Sequence, residues 1–198
     1  MNQCDVNCLP MSRSAAASVK TPPTKLTLIT IREVAMSGWF TTVSTYQGHT
    51  YVGQSSGEIS RIGPDSKVGS FSSLNGYIYG MAINEGLLYT TSGDSPQVVS
   101  VHELSTGKLF HSGNHSETGR YRISNLAVIG GDKVVIADRS NNRLTLYTLT
   151  GQIIGQIPCQ QLAGGDYVSM CAADDDSVIV SDNRSNRVYR ISITTGQV

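Results

Sequence analysis

Asp138-Arg-Ser-Asn-Asn-Arg143 and Asp182-Asn-Arg-Ser-Asn-Arg187 repeat one pattern 44 positions apart, each after a short β-branched run and before an alternating strand. A strand-turn-strand unit recurring at roughly 40–50 residues is the period of a propeller blade, not of a helical solenoid. Lys133-Val-Val-Ile-Ala-Asp138 and Ser177-Val-Ile-Val-Ser-Asp182 are largely continuous apolar runs, which predicts strands buried on both faces. Leu144-Thr-Leu-Tyr-Thr-Leu149 and Val188-Tyr-Arg-Ile-Ser-Ile193 alternate, which predicts one buried face and one wetter face.

The unit can be followed towards the N-terminus. His49–Gln54, Glu58–Ile62 and Lys67–Phe71 form one set of strand-like pieces, and Gly86–Thr91, Val98–Val101 and Lys108–Phe110 another. A further piece precedes each unit: Trp39–Val43, Ile78–Ile83, Ile123–Ile129 and Tyr167–Ala172. Turn residues such as Gly57, Gly63-Pro64-Asp65, Thr106-Gly107 and Thr150-Gly151 stand at the joints. The expected architecture is an all-β propeller of four-stranded blades at about 39–72, 77–112, 122–158 and 167–198. Lys25-Leu-Thr-Leu-Ile-Thr-Ile31 reads as a solitary strand, from a partial blade or closing the last one. Residues 1–24, rich in Ser, Ala, Pro and Asn, read as a disordered leader or the ragged edge of a truncated product.

With 15 basic and 15 acidic residues and 15% charged content, the chain has no long-range field to gather nucleic acid or anionic lipid. No apolar stretch approaches the roughly 18 residues of a membrane span. Residues 120–198 hold seven Arg and one Lys against seven Asp. Arg makes planar, two-pronged contacts with carboxylates, phosphates and backbone. Cys4, Cys8, Cys159 and Cys171 make no disulfide framework, and Cys171 is expected to pack as a small apolar residue on an inner strand. Few cysteines and no export signal point to the cytoplasm.

Ala137-Asp-Arg-Ser-Asn-Asn-Arg-Leu-Thr-Leu-Tyr147 resembles the NHL repeat: a strand ending in Asp, a small turn with Asn, then Arg and an alternating strand. Asp138, Asn141 and Arg143 match it; Asp182 and Arg187 match it in the next unit, where Ser185 holds the Asn place and Asn186 follows. Gln54 and Thr91 stand at the Asp place earlier in the chain. The resemblance implies an NHL- or TolB-like ring of about six blades, of which four are visible, and similarity to the propeller that ends tripartite-motif proteins. The zinc ligands of their ubiquitin-ligase module do not occur, so ligase activity is not carried over.

Asp ends one strand and Arg begins the next, so the pair can staple its own turn. Arg139, Arg143, Arg184 and Arg187 can in addition present guanidinium groups on the loop rim. The expected function is a non-catalytic scaffold taking a protein partner on that rim, with no cofactor. Single-stranded RNA is a weaker candidate, needing stacking aromatics such as Tyr121, Tyr147, Tyr167 or Tyr189, most of which alternation places on packed faces. An incomplete ring would also self-associate through open edges. The rival reading is a metal-dependent propeller hydrolase or lyase, which needs ligands converging from several strands. His49, His102, His111 and His115 show no such spacing, and Asp174-Asp-Asp176 suits a turn better than a cation loop.

Overall fold

The computed structural model of the chain describes residues 34–93, 98–114, 123–160, 168–183 and 185–195. Four antiparallel sheets follow one another along the sequence. Blade one is β1 (Phe40–Tyr46), β2 (His49–Gln54), β3 (Glu58–Ile62) and β4 (Val68–Ser73). Blade two is β5 (Ile78–Asn84), β6 (Leu87–Ser92), β7 (Val98–Glu103) and β8 (Leu109–Asn114). Blade three is β9 (Ile123–Ile129), β10 (Lys133–Asp138), β11 (Arg143–Thr148) and β12 (Ile153–Pro158), with a 3-10 turn at Arg139–Asn141. Blade four has three strands among the described residues, β13 (Val168–Ala172), β14 (Ser177–Asp182) and β15 (Arg187–Ser192), where four were expected. The leader at 1–24 and the strand expected at Lys25–Ile31 lie outside the described residues. No helix among those residues is long and apolar enough to cross a membrane.

Within each blade, sequence neighbours pair as a meander, because short connections of two to five residues bring the chain straight back. Gln47-Gly48 and Glu85-Gly86 have positive φ at both positions, the turn geometry whose twist matches a strand pair and which glycine adopts without strain. The first strands of successive blades lie against one another, β1 on β5, β5 on β9 and β9 on β13. No comparable contact joins β13 back to β1 among the described residues, so the four blades form an open arc.

Three apolar clusters fill the three gaps between blades. Alternation on each strand sends successive residues into different gaps: Val134 and Ile136 of β10 pack with Tyr89, Val99 and Val101 of blade two, whereas Val135 and Ala137 pack with Val178, Val180 and Ile191 of blade four. Each fully buried aliphatic side chain contributes about 1.5–3 kcal/mol. The wetter face expected of Leu144–Leu149 is absent: Thr145 and Tyr147 are buried, since β11 has a blade on both sides, and the half-wet strand of this blade is β12. On β14 the expected two-sided burial fails at Ile179, which no further blade covers among the described residues.

In the first gap, Tyr51 meets Phe71 edge-on and Phe71 meets His102 at 6.3 Å. His102 is buried, its Nδ1 has no hydrogen-bond partner, and burial pushes its pKa below the ordinary 6.5. The unfolded chain takes up a proton near pH 6.5 that the folded chain resists, so this contribution to stability is present above that pH and lost as pH falls through the folded pKa. We expect the urea midpoint to drop between about pH 7.5 and 5, and His102→Leu to flatten part of that drop. An identical pH profile for parent and variant would refute the assignment.

Candidate binding rim

The meander gives the arc two rims. One carries the turns from first to second and third to fourth strand; the other carries the turns from second to third strand and the crossings between blades. The repeated Asp–Arg pattern lies on the second rim. In blade three, Asp138 and Arg143 are the terminal cross-strand pair of β10 and β11. Arg143 Nε donates to Asp138 Oδ2 at 2.9 Å, and its second nitrogen group donates to Gln156 Oε1 at 2.9 Å. Asn141 donates to the same carboxylate through its side chain, 2.8 Å, and its backbone N–H, 3.3 Å. Asn142 then closes the turn in the left-handed region at φ 51°, a conformation Asn tolerates better than most residues.

Blade four reaches the same geometry with different residues. Ser185 takes the role of Asn141, its hydroxyl donating to Asp182 Oδ2 at 2.6 Å and its backbone N–H at 3.3 Å. Asn186, at φ 55°, corresponds to Asn142. In blade one, Gln54 and Glu58 hold the Asp and Arg places, and Gln54 donates to Ser60 instead. In blade two the register puts Ser92 at the Asp place, one residue beyond the Thr91 read from sequence.

The four arginines expected on this rim are not equivalent. Arg143 is partly buried by its staple, and Arg187 is exposed at the start of β15. Arg139 is corrected: it is only 7% exposed, because the 3-10 turn begins directly at the buried end of β10. Arg184 lies outside the described residues. Tyr147 and Tyr189 are buried, so neither offers a stacking surface on the rim, and Tyr121 and Tyr167 lie outside the described residues.

Three aromatic residues not among those expected on the rim stand there. The Trp39 carbonyl accepts from Ser55 N–H at 2.9 Å and the Tyr77 carbonyl accepts from Gly93 N–H at 3.0 Å, which fixes both beside the turns between second and third strands. Trp39 is 82% exposed, with Phe40 and Tyr77 also open to solvent. Tyr77 leans on Tyr79 at 4.8 Å between ring centroids. The available signal was position: both Trp39 and Tyr77 immediately precede an innermost strand.

The opposite rim carries the acidic turn. Asp174 accepts from Ser177, from the Asp176 N–H and from Arg190, and its carboxyl is held down at about 2, first by the Ser177 hydroxyl. Asp176 moves upward, chiefly through its hydrogen bond with Asp174. His49 lines a shallow hollow of about 450 Å³ with Arg61, Asp65 and Lys67. His102 sits between blades and His111 on β8, while His115 lies outside the described residues. Among the described residues, no three His, Cys, Asp or Glu side chains gather closely enough to hold a metal ion. Cys159 is buried, but Cys171, expected to be packed, is exposed because among the described residues no blade lies beyond its face of β13.

No family model matches the chain, and no curated protein matches it. Solved structures do. A catalytically inactive variant of virginiamycin B lyase from Staphylococcus aureus with quinupristin is 14% identical, with a TM-score of 0.66 over 78% of this chain and 53% of that one. The Cps50 (Swd1) β-propeller domain of Myceliophteria thermophila is 15% identical, with a TM-score of 0.58 over 77% and 53%. The computationally designed Ika4 protein is 16% identical, with a TM-score of 0.62 over 80% of this chain and 94% of that one. The chain thus spans about half the length of the two natural structures, and what it shares with them is the β-propeller fold.

Proposed function

We propose that this propeller arc is a non-catalytic binding scaffold that takes a protein partner on the rim bearing Trp39, Tyr77, Arg143 and Arg187. The observation that carries the reading is the exposure of Trp39 and Tyr77, fixed by backbone hydrogen bonds on the rim that also holds the Asp–Arg turns. Trp, Tyr and Arg are the side chains that dominate protein interfaces, and turns held by rigid strands lose little entropy when bound. The NHL-like motif in blades three and four fits this role, since Asp138 and Arg143 keep the turn in one shape. Arg and aromatic side chains on one rim also suit single-stranded RNA, but the balanced net charge favours protein.

Trp39 is the sole tryptophan and therefore reports on its own rim. We expect proteins captured by the parent chain to be lost in parallel captures with Trp39→Ala and with Arg187→Glu, each losing at least about tenfold, about 1.4 kcal/mol. A captured protein that also quenches Trp39 fluorescence on purification supports the rim. Capture indifferent to both variants refutes it, and Trp39 quenching by a mixed-sequence RNA oligomer alone would move the reading to RNA.

A further inference from the structure

Blades one and four place an arginine at the same point of the third strand, and only one of the two has a carboxylate. Arg190 pairs across the sheet with Ile179, three places before Asp182, and Arg61 pairs with Tyr51, three places before Gln54. In blade four the guanidinium is neutralised within the blade: Arg190 donates to Asp174 and, through Nε at 3.0 Å, to the Ser177 hydroxyl. In blade one His49 opens β2 where Ser177 opens β14, and the shorter turn Gln47-Gly48, which has no acidic residue, replaces the turn that supplies Asp174. Among the described residues no ion pair involves Arg61. Its guanidinium lies against the Tyr51 hydroxyl, an uncharged neighbour.

Arg61 lines the hollow of about 450 Å³, a volume within the roughly 300–1,000 Å³ of small-molecule sites. Asp65 is turned to Lys67, accepting from its backbone N–H at 3.2 Å and from its Nζ at 3.0 Å. Two cations against one carboxylate leave the hollow one positive charge in excess, with the forked donors of Arg61 on its wall. Pro64 and Val68 add an apolar wall. The loop that carries Pro64 and Asp65 is fixed by its own backbone, Gly63 N–H donating to the Lys67 carbonyl at 2.9 Å and Ser66 N–H to the Gly63 carbonyl at 3.0 Å, so a ligand need not order it. Gly69 pairs across the sheet with Arg61 and keeps the hollow open: a Cβ there would have no atom within 4 Å.

We propose that this hollow binds a small monocarboxylate with an apolar body. Its carboxylate lies on Arg61, as Asp174 lies on Arg190 in blade four, and its body rests on Pro64 and Val68. A carboxylate matches the planar fork of a guanidinium, and its single charge cancels the single excess charge of the hollow. A phosphate dianion would leave a negative charge beside Asp65. The turn between third and fourth strands puts the hollow on the rim opposite Trp39 and Tyr77, so this inference stands apart from the protein-partner reading.

Fluorine NMR of para-fluorobenzoate with the 198-residue chain tests it, with para-fluorobenzyl alcohol as the uncharged counterpart. The chain is expected to broaden the benzoate signal with a dissociation constant of about 1 mM or tighter, as suits a ligand of this size, and to leave the alcohol sharp. Arg61 is exposed, so Arg61→Gln keeps the fold and is expected to weaken binding at least about tenfold. Gly69→Phe fills the hollow without meeting the protein and is expected to abolish binding with the β-sheet circular dichroism retained; Arg61→Gln alone decides if this variant misfolds. A benzoate signal that stays sharp overturns the proposal. So does binding that either folded variant leaves unchanged, or binding of the alcohol equal to that of the benzoate. Inorganic phosphate that binds through Arg61 more tightly than the benzoate overturns the assignment to a carboxylate.

Discussion

Asp138→Ala is expected to lower the unfolding free energy by about 3 kcal/mol, a large share of the roughly 5–15 kcal/mol that holds a domain folded. The carboxylate is almost wholly buried and accepts from Arg143 Nε, the Asn141 side chain and the Asn141 N–H. Removing it strands a partly buried guanidinium and opens the cap of the 3-10 turn. Loss of one partner from a buried pair costs about 3–5 kcal/mol; Arg143 keeps some solvent contact and its bond to Gln156, which sets the expectation at the lower end. Asp138→Asn, which keeps the shape and one acceptor oxygen, should lose about half as much. Asp182→Ala should cost only about 1 kcal/mol, because Ser185 is small and Arg187 is exposed, so less is left stranded. Urea unfolding of the three variants reads these differences, and equal losses at 138 and 182 would sink the account.

The residues that made the fold legible are those whose role is local. Asp138 through Arg143 recurs at Asp182 through Arg187 because each turn must satisfy its own backbone within a few residues, and that requirement is written in consecutive sequence. Strand positions were legible for the same reason: alternating or continuous apolar runs mark a pleated strand and its turns. What could not be read was which face of each strand meets another blade. Thr145 and Tyr147 looked like a wet face and are buried, while Ile179 and Cys171 looked buried and are exposed. In every case the deciding fact is the presence or absence of a neighbouring blade, a relation between segments about 40 residues apart that no local pattern records.

The candidate site divides along the same line. Arg143 and Asp138 were found because they define the repeat, but Arg139, in the same turn, was placed on the wrong side: sequence says that a residue lies in a loop, not which way a 3-10 turn directs it. Trp39 and Tyr77 were passed over because an aromatic residue at a strand start reads as core. Only the bonds from Ser55 and Gly93 to their carbonyls show that both sit at the strand ends, on the rim. A site built from the edges of several blades is thus the least legible part of such a chain, although every residue in it lies in or directly beside a strand or turn that was recognised.

Gly80→Val is expected to cost about 3 kcal/mol, because at Gly80 the innermost strand of blade two passes close against that of blade three. A Cβ at this position would sit 2.9 Å from Asn125 Oδ1, 3.1 Å from Asn125 Cα and 3.2 Å from Leu126 N. The first neighbour can swing away, but the other two are backbone of β9, so the strand itself must shift. Leu126 would move with it, and Leu126 belongs to the cluster that joins the two blades. Gly80→Ala should lose about 1 kcal/mol, since one methyl group meets the same backbone with less bulk. Gly155 on the outer strand β12 is the matched control: nothing lies within 4 Å of a Cβ there, so Gly155→Val should be neutral or stabilising by a few tenths of a kcal/mol through strand preference alone. All variants need comparison at one protein concentration, so that any association affects each of them alike. A Gly80→Val chain as stable as Gly155→Val would mean that the inner strands do not pack backbone to backbone, and the close approach that orders the arc would have to come from the apolar clusters alone.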